Sequence, residues 1–207
     1  MYVPLFCATL YTDDICCATQ SRMFTELEHT LTTDMTALSD YCTRWRLKPS
    51  VSKTVSSVFH LHYVYASTQL NVLLDGKCIQ HESQPVYLGV MLDHSLTFHA
   101  NMIKTAAKVR TRNNLITKLD GSTWGASART LQTATLALSF LVAEYCAPVW
   151  CHSSHTKFID TQLNSATRAT SGSIKSTPVS WLSVLSNIEP VSICWKSASG
   201  KIVEKIR

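Results

Sequence analysis

The sequence contains no long uninterrupted apolar run and no secretion signal. Its longest apolar stretch, residues 136–150, is broken by Glu144 and Pro148, and it is shorter than a bilayer requires. The N-terminal residues are apolar but lack a basic segment and a cleavage site, which argues against a signal peptide. We therefore expect an intracellular protein, nuclear or cytoplasmic, that is neither secreted nor membrane-spanning.

The eight cysteines follow no regular spacing, which argues against a disulfide framework and fits reduced thiols in a protein core. Four side chains near the middle of the chain leave a zinc site open as an alternative: Cys146, Cys151, His152 and His155. Their spacing matches no common zinc finger or ribbon, and Pro148 and Trp150 between them favour a packed helix end. The sequence also lacks an Asp-Thr-Gly or Asp-Ser-Gly loop, which excludes an aspartic protease.

Charge is sparse, at 16% of the 207 residues, and it is distributed unevenly. Residues 1–96 carry six Lys or Arg against nine Asp or Glu, whereas residues 97–207 carry thirteen against five. An acidic half followed by a basic half suits a metal site beside a surface that binds polyanions. Surplus lysine on solvated helices is the alternative explanation. The 45% hydrophobic content is typical of a globular chain of one or two domains.

Two adjacent carboxylates, Asp13 and Asp14, follow Tyr11 and Thr12 between apolar runs at residues 3–10 and 15–18. This pattern predicts a strand, a tight turn and a second strand. Neighbouring carboxylates repel each other unless a cation lies between them, and their oxygens suit Mg²⁺. Asp-Asp is also a common solvated turn dipeptide, so the pair alone leaves both interpretations open.

The first half of the chain has the pattern of an α+β fold with an antiparallel sheet. Apolar residues recur at helical spacing from Phe24 to Trp45, which predicts an amphipathic helix of about 25 residues that ends by Pro49. Residues 53–62 and 86–92 are predicted strands, and Asp75-Gly76 is a strong hairpin signal. From Phe98 onward the periodicity predicts helices at residues 102–116, 126–145, 156–171 and 191–206.

The order of these elements resembles the reverse transcriptases of non-LTR (LINE-type) retrotransposons, especially the jockey-like group. The family's Tyr-Ala-Asp-Asp hairpin corresponds to residues 11–14. Two further family motifs match, in order, Trp45, Leu47, Lys53 and Thr54, and then Tyr87, Leu88, Gly89 and Asp93. The segments 144–150 and 181–190 also resemble the family. The resemblance implies a partial polymerase palm at residues 1–96, with an antiparallel sheet and a long helix, and an all-helical thumb-like region at 97–207.

The resemblance also implies roles for individual residues. Asp13 would bind the two catalytic Mg²⁺ ions, Asp14 would help shape that site, and Tyr11 would lie under the primer end. Lys53 would protonate or stabilise the leaving pyrophosphate. An ordinary lysine at a strand edge is the alternative interpretation. The expected partners are an RNA template and a DNA primer, with no membrane, no small-molecule cofactor and no protein partner identified.

Two further groups of residues are candidates for nucleic-acid contact. Tyr87, Leu88 and Gly89 match the strand that grips the primer in the family, with packing as the alternative role for the first two. The second group consists of basic residues at helical spacing on one face of a predicted helix: Lys104, Lys108 and Arg112. These side chains would bind phosphates along a duplex. The alternative is a solvated helix face with no binding role.

The chain departs from the family upstream of the hairpin. The family has a third metal-binding aspartate and the fingers there, but only ten residues precede Tyr11, and Thr12 replaces the usual alanine. Neither an endonuclease domain nor a terminal zinc knuckle is recognisable. We therefore expect weak metal binding and no polymerase activity from the chain alone. The alternatives are a non-enzymatic, basic nucleic-acid-binding remnant and a translated pseudogene with no selected function.

Overall fold

A computed structural model describes residues 7–206, except Asp13, Ala66 and residues 122–124. The chain divides into two compact units, Met1–Pro85 and Val86–Arg207. Both helices and short strands are present, which confirms the predicted α+β class. The assignment of a palm to residues 1–96 and a thumb-like region to 97–207 stays a prediction. Among the described residues, no helix is long and apolar enough to cross a membrane.

In the described part of the first unit, one long helix accompanies three pairs of short strands. Its elements are β1 (Cys7–Tyr11), β2 (Asp14–Ala18), α1 (Phe24–Arg44), β3 (Val55–Ser56), a 3₁₀ turn (Tyr63–Tyr65), β4 (Leu73–Leu74), β5 (Lys77–Cys78) and β6 (Gln80–His81). β1 pairs with β2 and β4 with β5, both antiparallel, whereas β3 pairs with β6 in parallel. The predicted antiparallel sheet is therefore wrong in part, because the strands form separate pairs and one pair is parallel.

The long helix ends earlier than predicted. α1 stops at Arg44, and Arg46 has a φ of 57°. The amide of Arg46 donates to the Thr43 carbonyl at 3.0 Å and that of Leu47 to the Cys42 carbonyl at 2.8 Å. This pair of bonds satisfies carbonyls of the last turn and closes the helix before Pro49 is reached.

The predicted strand at residues 53–62 is mostly wrong. Only Val55 and Ser56 are in a strand. The His60 imidazole Nδ1 accepts the backbone amide of His62 at 2.8 Å, so this part of the backbone bonds to a side chain instead of to a neighbouring strand. The turn at Asp75-Gly76, by contrast, is confirmed, with φ values of 52° and 73° between β4 and β5.

The core of the first unit lies between the apolar stripe of α1 and the segment that contains β4. Its buried residues are Met35, Leu70, Val72, Leu74 and Ile79. Polar groups of α1 fix the same segment, because Glu28 accepts the amide of Asn71 at 2.8 Å and Ser39 donates to Asp75 at 2.5 Å. Two members of the predicted stripe, Tyr41 and Trp45, are exposed instead.

The second unit begins with a short hairpin and continues as helices. Its elements are β7 (Val86–Tyr87), β8 (Val90–Met91), α2 (His99–Leu119), α3 (Ala128–Thr135), a π-helix (Leu136–Phe140), α4 (Leu141–Glu144), α5 (Ala147–Trp150), α6 (Lys157–Ser171), α7 (Val179–Ser186) and α8 (Val191–Ile206). The predicted strand at 86–92 is thus a hairpin. The predicted helix at 126–145 contains a π segment, and α5 and α7 were not predicted.

The helical unit is built around one cluster of buried side chains. The most enclosed members are Met102, Val109, Phe140, Trp150, Ile159 and Leu163. They come from α2, the π-helix, α5 and α6, and α8 adds Trp195, whose ring meets that of Trp150 edge-on at 5.1 Å. Aromatic pairs in this geometry add to the stabilisation from burial.

Candidate active site and nucleic-acid surface

The Tyr-Thr-Asp-Asp segment forms the predicted hairpin. Tyr11 and Asp14 face each other across the strand pair, and Thr12, which follows Tyr11, is in the turn. Asp14 is exposed, which leaves its carboxylate accessible to a hydrated cation. Asp13, the principal predicted ligand, lies outside the described residues.

The turn imposes an unfavourable backbone conformation on Thr12. Its φ is 56°, in the left-handed region that β-branched residues avoid. A β-branched residue is favoured in strands, but Thr12 lies at the tip of the hairpin. The substitution for the family's alanine therefore adds a branched side chain where the backbone tolerates it least.

Lys53 lies in the same unit as the hairpin, on the turn that follows α1. Its amide donates to the Ser50 carbonyl at 3.1 Å and its side chain is exposed. The side-chain oxygen of Thr54 donates to the same carbonyl at 2.8 Å, so the turn is internally bonded. The role of Lys53 stays a prediction. In the part of the chain that the structure describes, no three His, Cys, Asp or Glu side chains are grouped as a metal ion would require.

The Tyr-Leu-Gly segment lies in the second unit, in the β7–β8 hairpin. Tyr87 pairs with Val90, and the turn consists of Leu88 and Gly89 with φ values of 45° and 79°. The Tyr145 hydroxyl donates to the Leu88 carbonyl at 2.7 Å. Tyr145 belongs to the segment 144–150 that resembles the family, but its contact with Leu88 was not predicted, since no local signal links residues 57 positions apart.

Asp93, the last residue of the same motif, caps the start of α2. It is buried, and its carboxylate accepts the Thr97 amide at 2.6 Å, the Thr97 hydroxyl at 2.5 Å and the His99 amide at 3.2 Å. The Asn101 side chain accepts the Met91 amide at 3.2 Å, which joins β8 to the same helix. The motif aspartate therefore has a structural role at the start of α2, which the motif alone did not predict.

The predicted basic face of α2 is exposed to solvent. Lys104, Lys108 and Arg112 are all exposed. The opposite side of the helix is buried through residues that include Val109 and Ile116. The helix also carries Arg110 and Lys118 and contains no acidic residue. Cations four residues apart are about 6 Å apart along a helix axis, which is a suitable spacing for contacts along a phosphate backbone.

The region of Cys146, Cys151, His152 and His155 is a packed helix end. The Trp150 side chain is buried there, and its indole N–H donates to the Tyr145 carbonyl at 3.0 Å. The rings of His155 and His99 meet edge-on, with centroids 4.6 Å apart. These contacts account for the aromatic side chains of the segment without a metal ion.

Two thiols are held in their protonated form by their surroundings. Burial raises the pKa of Cys17, and the neighbouring Cys16 and Asp34 raise it further. Burial likewise raises the pKa of Cys194, with added repulsion from Glu144 and Glu189. A thiol that stays protonated at neutral pH is a poor nucleophile and metal ligand. The predicted core location is wrong for most of the cysteines whose burial is described, because Cys42 is buried, Cys78 is exposed and the others are half-buried.

The chain is similar to two known polymerases. It is 29% identical over 143 residues to the probable RNA-directed DNA polymerase from transposon BS of Drosophila melanogaster, covering 69% of this chain and 15% of that protein. It is also 29% identical over 119 residues to the RNA-directed DNA polymerase from mobile element jockey of Drosophila funebris, covering 58% and 12% respectively. The predicted resemblance to polymerases of non-LTR retrotransposons is confirmed.

The chain resembles only a small part of these polymerases. It spans 15% and 12% of their lengths, so their whole activity does not transfer with the resemblance. No protein-family model matches the chain. No solved structure matches it either.

Proposed function

We propose that this chain is a segment of an RNA-directed DNA polymerase of a non-LTR retrotransposon, and that it contributes a primer- and template-binding surface. The observation that carries the proposal is the similarity to two such polymerases over 58% and 69% of the chain. The hairpin with exposed Tyr11 and Asp14 and the exposed basic face of α2 support it.

In this proposal Asp13 and Asp14 hold the catalytic metal ions of the complete polymerase. Carboxylate oxygens at an exposed turn fit Mg²⁺, which keeps part of its water shell and takes few protein ligands. Bound Mg²⁺ would supply charge neutralisation during transfer of the nucleotide. The chain's own residues would position the partners: Tyr11 under the primer end, Lys53 near the leaving pyrophosphate, and Tyr87, Leu88 and Gly89 along the primer.

We expect the 207-residue chain alone to be inactive as a polymerase. Its matched residues cover only 15% and 12% of the two relatives, and nucleotide transfer requires a complete set of metal ligands and a nucleotide pocket. The test is Mg²⁺-dependent extension of a DNA primer on an RNA template by the purified chain. Extension that disappears in an Asp13→Ala variant would contradict this part of the proposal.

Binding of nucleic acid can be tested on the isolated chain. Affinity for an RNA–DNA duplex should fall as salt rises, because each phosphate contact releases bound counterions. Replacing Lys104, Lys108 and Arg112 with Gln should lower the slope of log affinity against log salt by about 3, if each contact contributes about 0.9.

A matched variant controls for the loss of net charge. Three other cations of the same unit are exposed: Arg129, Lys157 and Lys175. Replacing them with Gln also removes two lysines and one arginine, so the change in net charge is the same. We expect this control to change the slope by less than about 1. If the slope of log affinity against log salt is equal in the two triple variants, the cations of α2 contribute no more to binding than other exposed cations of the unit.

A non-enzymatic nucleic-acid-binding remnant is the second candidate function, favoured by the absence of acidic residues on α2. The two candidates differ in what they recognise. A polymerase segment should prefer a recessed primer end over a blunt duplex of equal length, whereas a remnant held by phosphates alone should bind both equally. No binding at low salt would contradict both and leave only the translated pseudogene.

A further inference from the structure

The turn between β7 and β8 places a leucine in a backbone conformation that leucine avoids. Leu88 has a φ of 45° and Gly89 a φ of 79°. Two-residue hairpin turns of this type require positive φ at both positions, and Asn-Gly is the usual pair. Gly89 adopts the conformation freely, but the side chain of Leu88 makes it unfavourable. Such a residue persists only where neighbouring groups hold it.

Tyr145 is the group that contacts this turn. Its hydroxyl donates to the Leu88 carbonyl at 2.7 Å. Its ring lies against Gly89, so that a Cβ at that position would be 3.4 Å from Cε1 and 3.5 Å from the hydroxyl oxygen. One side chain thus bonds to the first turn residue and covers the second.

The helical core in turn fixes the backbone of Tyr145. Tyr145 follows the last residue of α4, and the next residue, Cys146, has a φ of 53° and precedes α5. The buried Trp150 donates its indole N–H to the Tyr145 carbonyl at 3.0 Å. The other end of the hairpin is joined to α2 through Asn101. The hairpin is therefore attached to the helical core at both ends.

We infer that Tyr145 is a positioning residue that holds the Leu88–Gly89 turn, and with it the strand that carries Tyr87, in the orientation used to contact a primer. The inference rests on the proposed function, because the primer contact of Tyr87, Leu88 and Gly89 is part of it. Tyr145 itself is not assigned a contact with the reacting atoms.

The test compares Tyr145→Phe with a matched variant. Tyr145→Phe keeps the ring and removes only the hydroxyl that bonds to Leu88. Tyr41→Phe is the control, because Tyr41 has nearly the same exposure, 55% against 57%, and lies on α1. Two quantities are measured on the full chain: hydrogen exchange of the Gly89 and Val90 amides, and the ratio of affinities for a recessed-end and a blunt RNA–DNA duplex.

Loss of one hydrogen bond should change both quantities about fivefold in Tyr145→Phe, with faster exchange and a smaller preference for the recessed end. The melting temperature should fall by no more than about 2–4 °C, and the affinity for the blunt duplex should stay unchanged. Tyr41→Phe should change neither quantity. Adding Leu88→Asn to Tyr145→Phe should slow the exchange again, because asparagine tolerates the turn conformation.

The two measurements separate this inference from the proposed function. Unchanged exchange in Tyr145→Phe overturns the inference whatever the chain binds. Faster exchange with an unchanged recessed-end preference overturns it too, since the turn would then be held without consequence for the primer. A wild-type chain that binds no duplex overturns the proposed function, and with it the primer role given to Tyr145, while the exchange data still decide whether Tyr145 holds the turn.

Discussion

At the scale of single residues, Asp160 connects the stability of the helical unit to pH. It lies in the first turn of α6, and its carboxylate accepts the indole N–H of Trp195 at 3.3 Å. Burial raises the pKa of this carboxyl above its usual value of 3.8, and the hydrogen bond from Trp195 offsets part of the rise. The folded chain therefore keeps this proton to a higher pH than the unfolded chain does.

The sign of the pH effect follows directly. Between pH 3.8 and the raised pKa the folded state binds more protons, so the contribution of Asp160 to stability is complete below that window and is lost as pH rises through it. Asp160→Asn cannot ionise and keeps an acceptor oxygen. We expect urea unfolding to show that Asp160→Asn becomes more stable relative to the wild type as the pH rises from about 3.5 to about 7.

Asp160→Ala serves as the control, because it also lacks the charge but has no acceptor for Trp195. It should be about 1 kcal/mol less stable than Asp160→Asn at every pH. A constant difference between wild type and Asp160→Asn over the whole pH range would contradict the role given to ionisation.

Thr12 supplies a second prediction for a single residue. A positive φ costs a non-glycine residue about 1–2 kcal/mol, and asparagine tolerates it better. Thr12→Asn should therefore make the β1–β2 hairpin more stable and slow hydrogen exchange of its paired amides about fivefold. Thr9→Asn is the control within β1, and it should speed exchange because threonine is favoured in strands. Slowing in both variants would contradict the explanation by turn strain.

At the scale of elements, a buried polar contact joins the π-helix to its neighbours. The Ser139 hydroxyl donates to the Asn113 side-chain oxygen at 2.7 Å, and the Asn113 amide donates to the Gln162 carbonyl at 2.7 Å. Both side chains are buried. The chain of bonds joins α2, the π-helix and α6, and a wider turn at residues 136–140 brings the serine to its partner.

Ser139→Ala should lower the free energy of unfolding by about 1–3 kcal/mol, because it leaves the buried Asn113 oxygen without its donor. Ser180→Ala is the control on the exposed side of α7, and it should change stability by less than about 0.5 kcal/mol. Urea unfolding of the two variants measures both values. Equal effects would show that the Ser139 contact does not stabilise the helical unit.

These elements also show which features a sequence can predict. The Asp75-Gly76 turn and the longer helices of the second unit, α2, α6 and α8, were predictable, because turn chemistry and apolar spacing are local signals. The π-helix was not, since Ser139 and Asn113 are 26 positions apart and neither is apolar. The hairpin of Asp14 was predictable in the same local way. The contact of Tyr145 with Leu88, which spans 57 positions, requires the fold.

At the scale of the whole molecule, the described surface includes an apolar face on α7. Trp181, Val184 and Leu185 are 61%, 74% and 54% exposed, and they lie on the side of the helix opposite the buried Leu182 and Ser186. Their three- and four-residue spacing makes them one stripe. Contiguous exposed apolar side chains of this size promote association between molecules, so the purified chain should self-associate as its concentration rises.

Replacing Trp181 and Val184 with lysine should shift the chain toward monomer, because burial of each of these side chains stabilises association by up to about 1.5–3 kcal/mol. The control places two lysines at Ser176 and Ser180, which are exposed nearby, so it adds the same charge without removing the apolar stripe. Sedimentation equilibrium over a concentration series measures the monomer fraction of each variant. A shift toward monomer of equal size in both variants would assign the effect to net charge, whereas a shift confined to the first would assign it to the apolar face of α7.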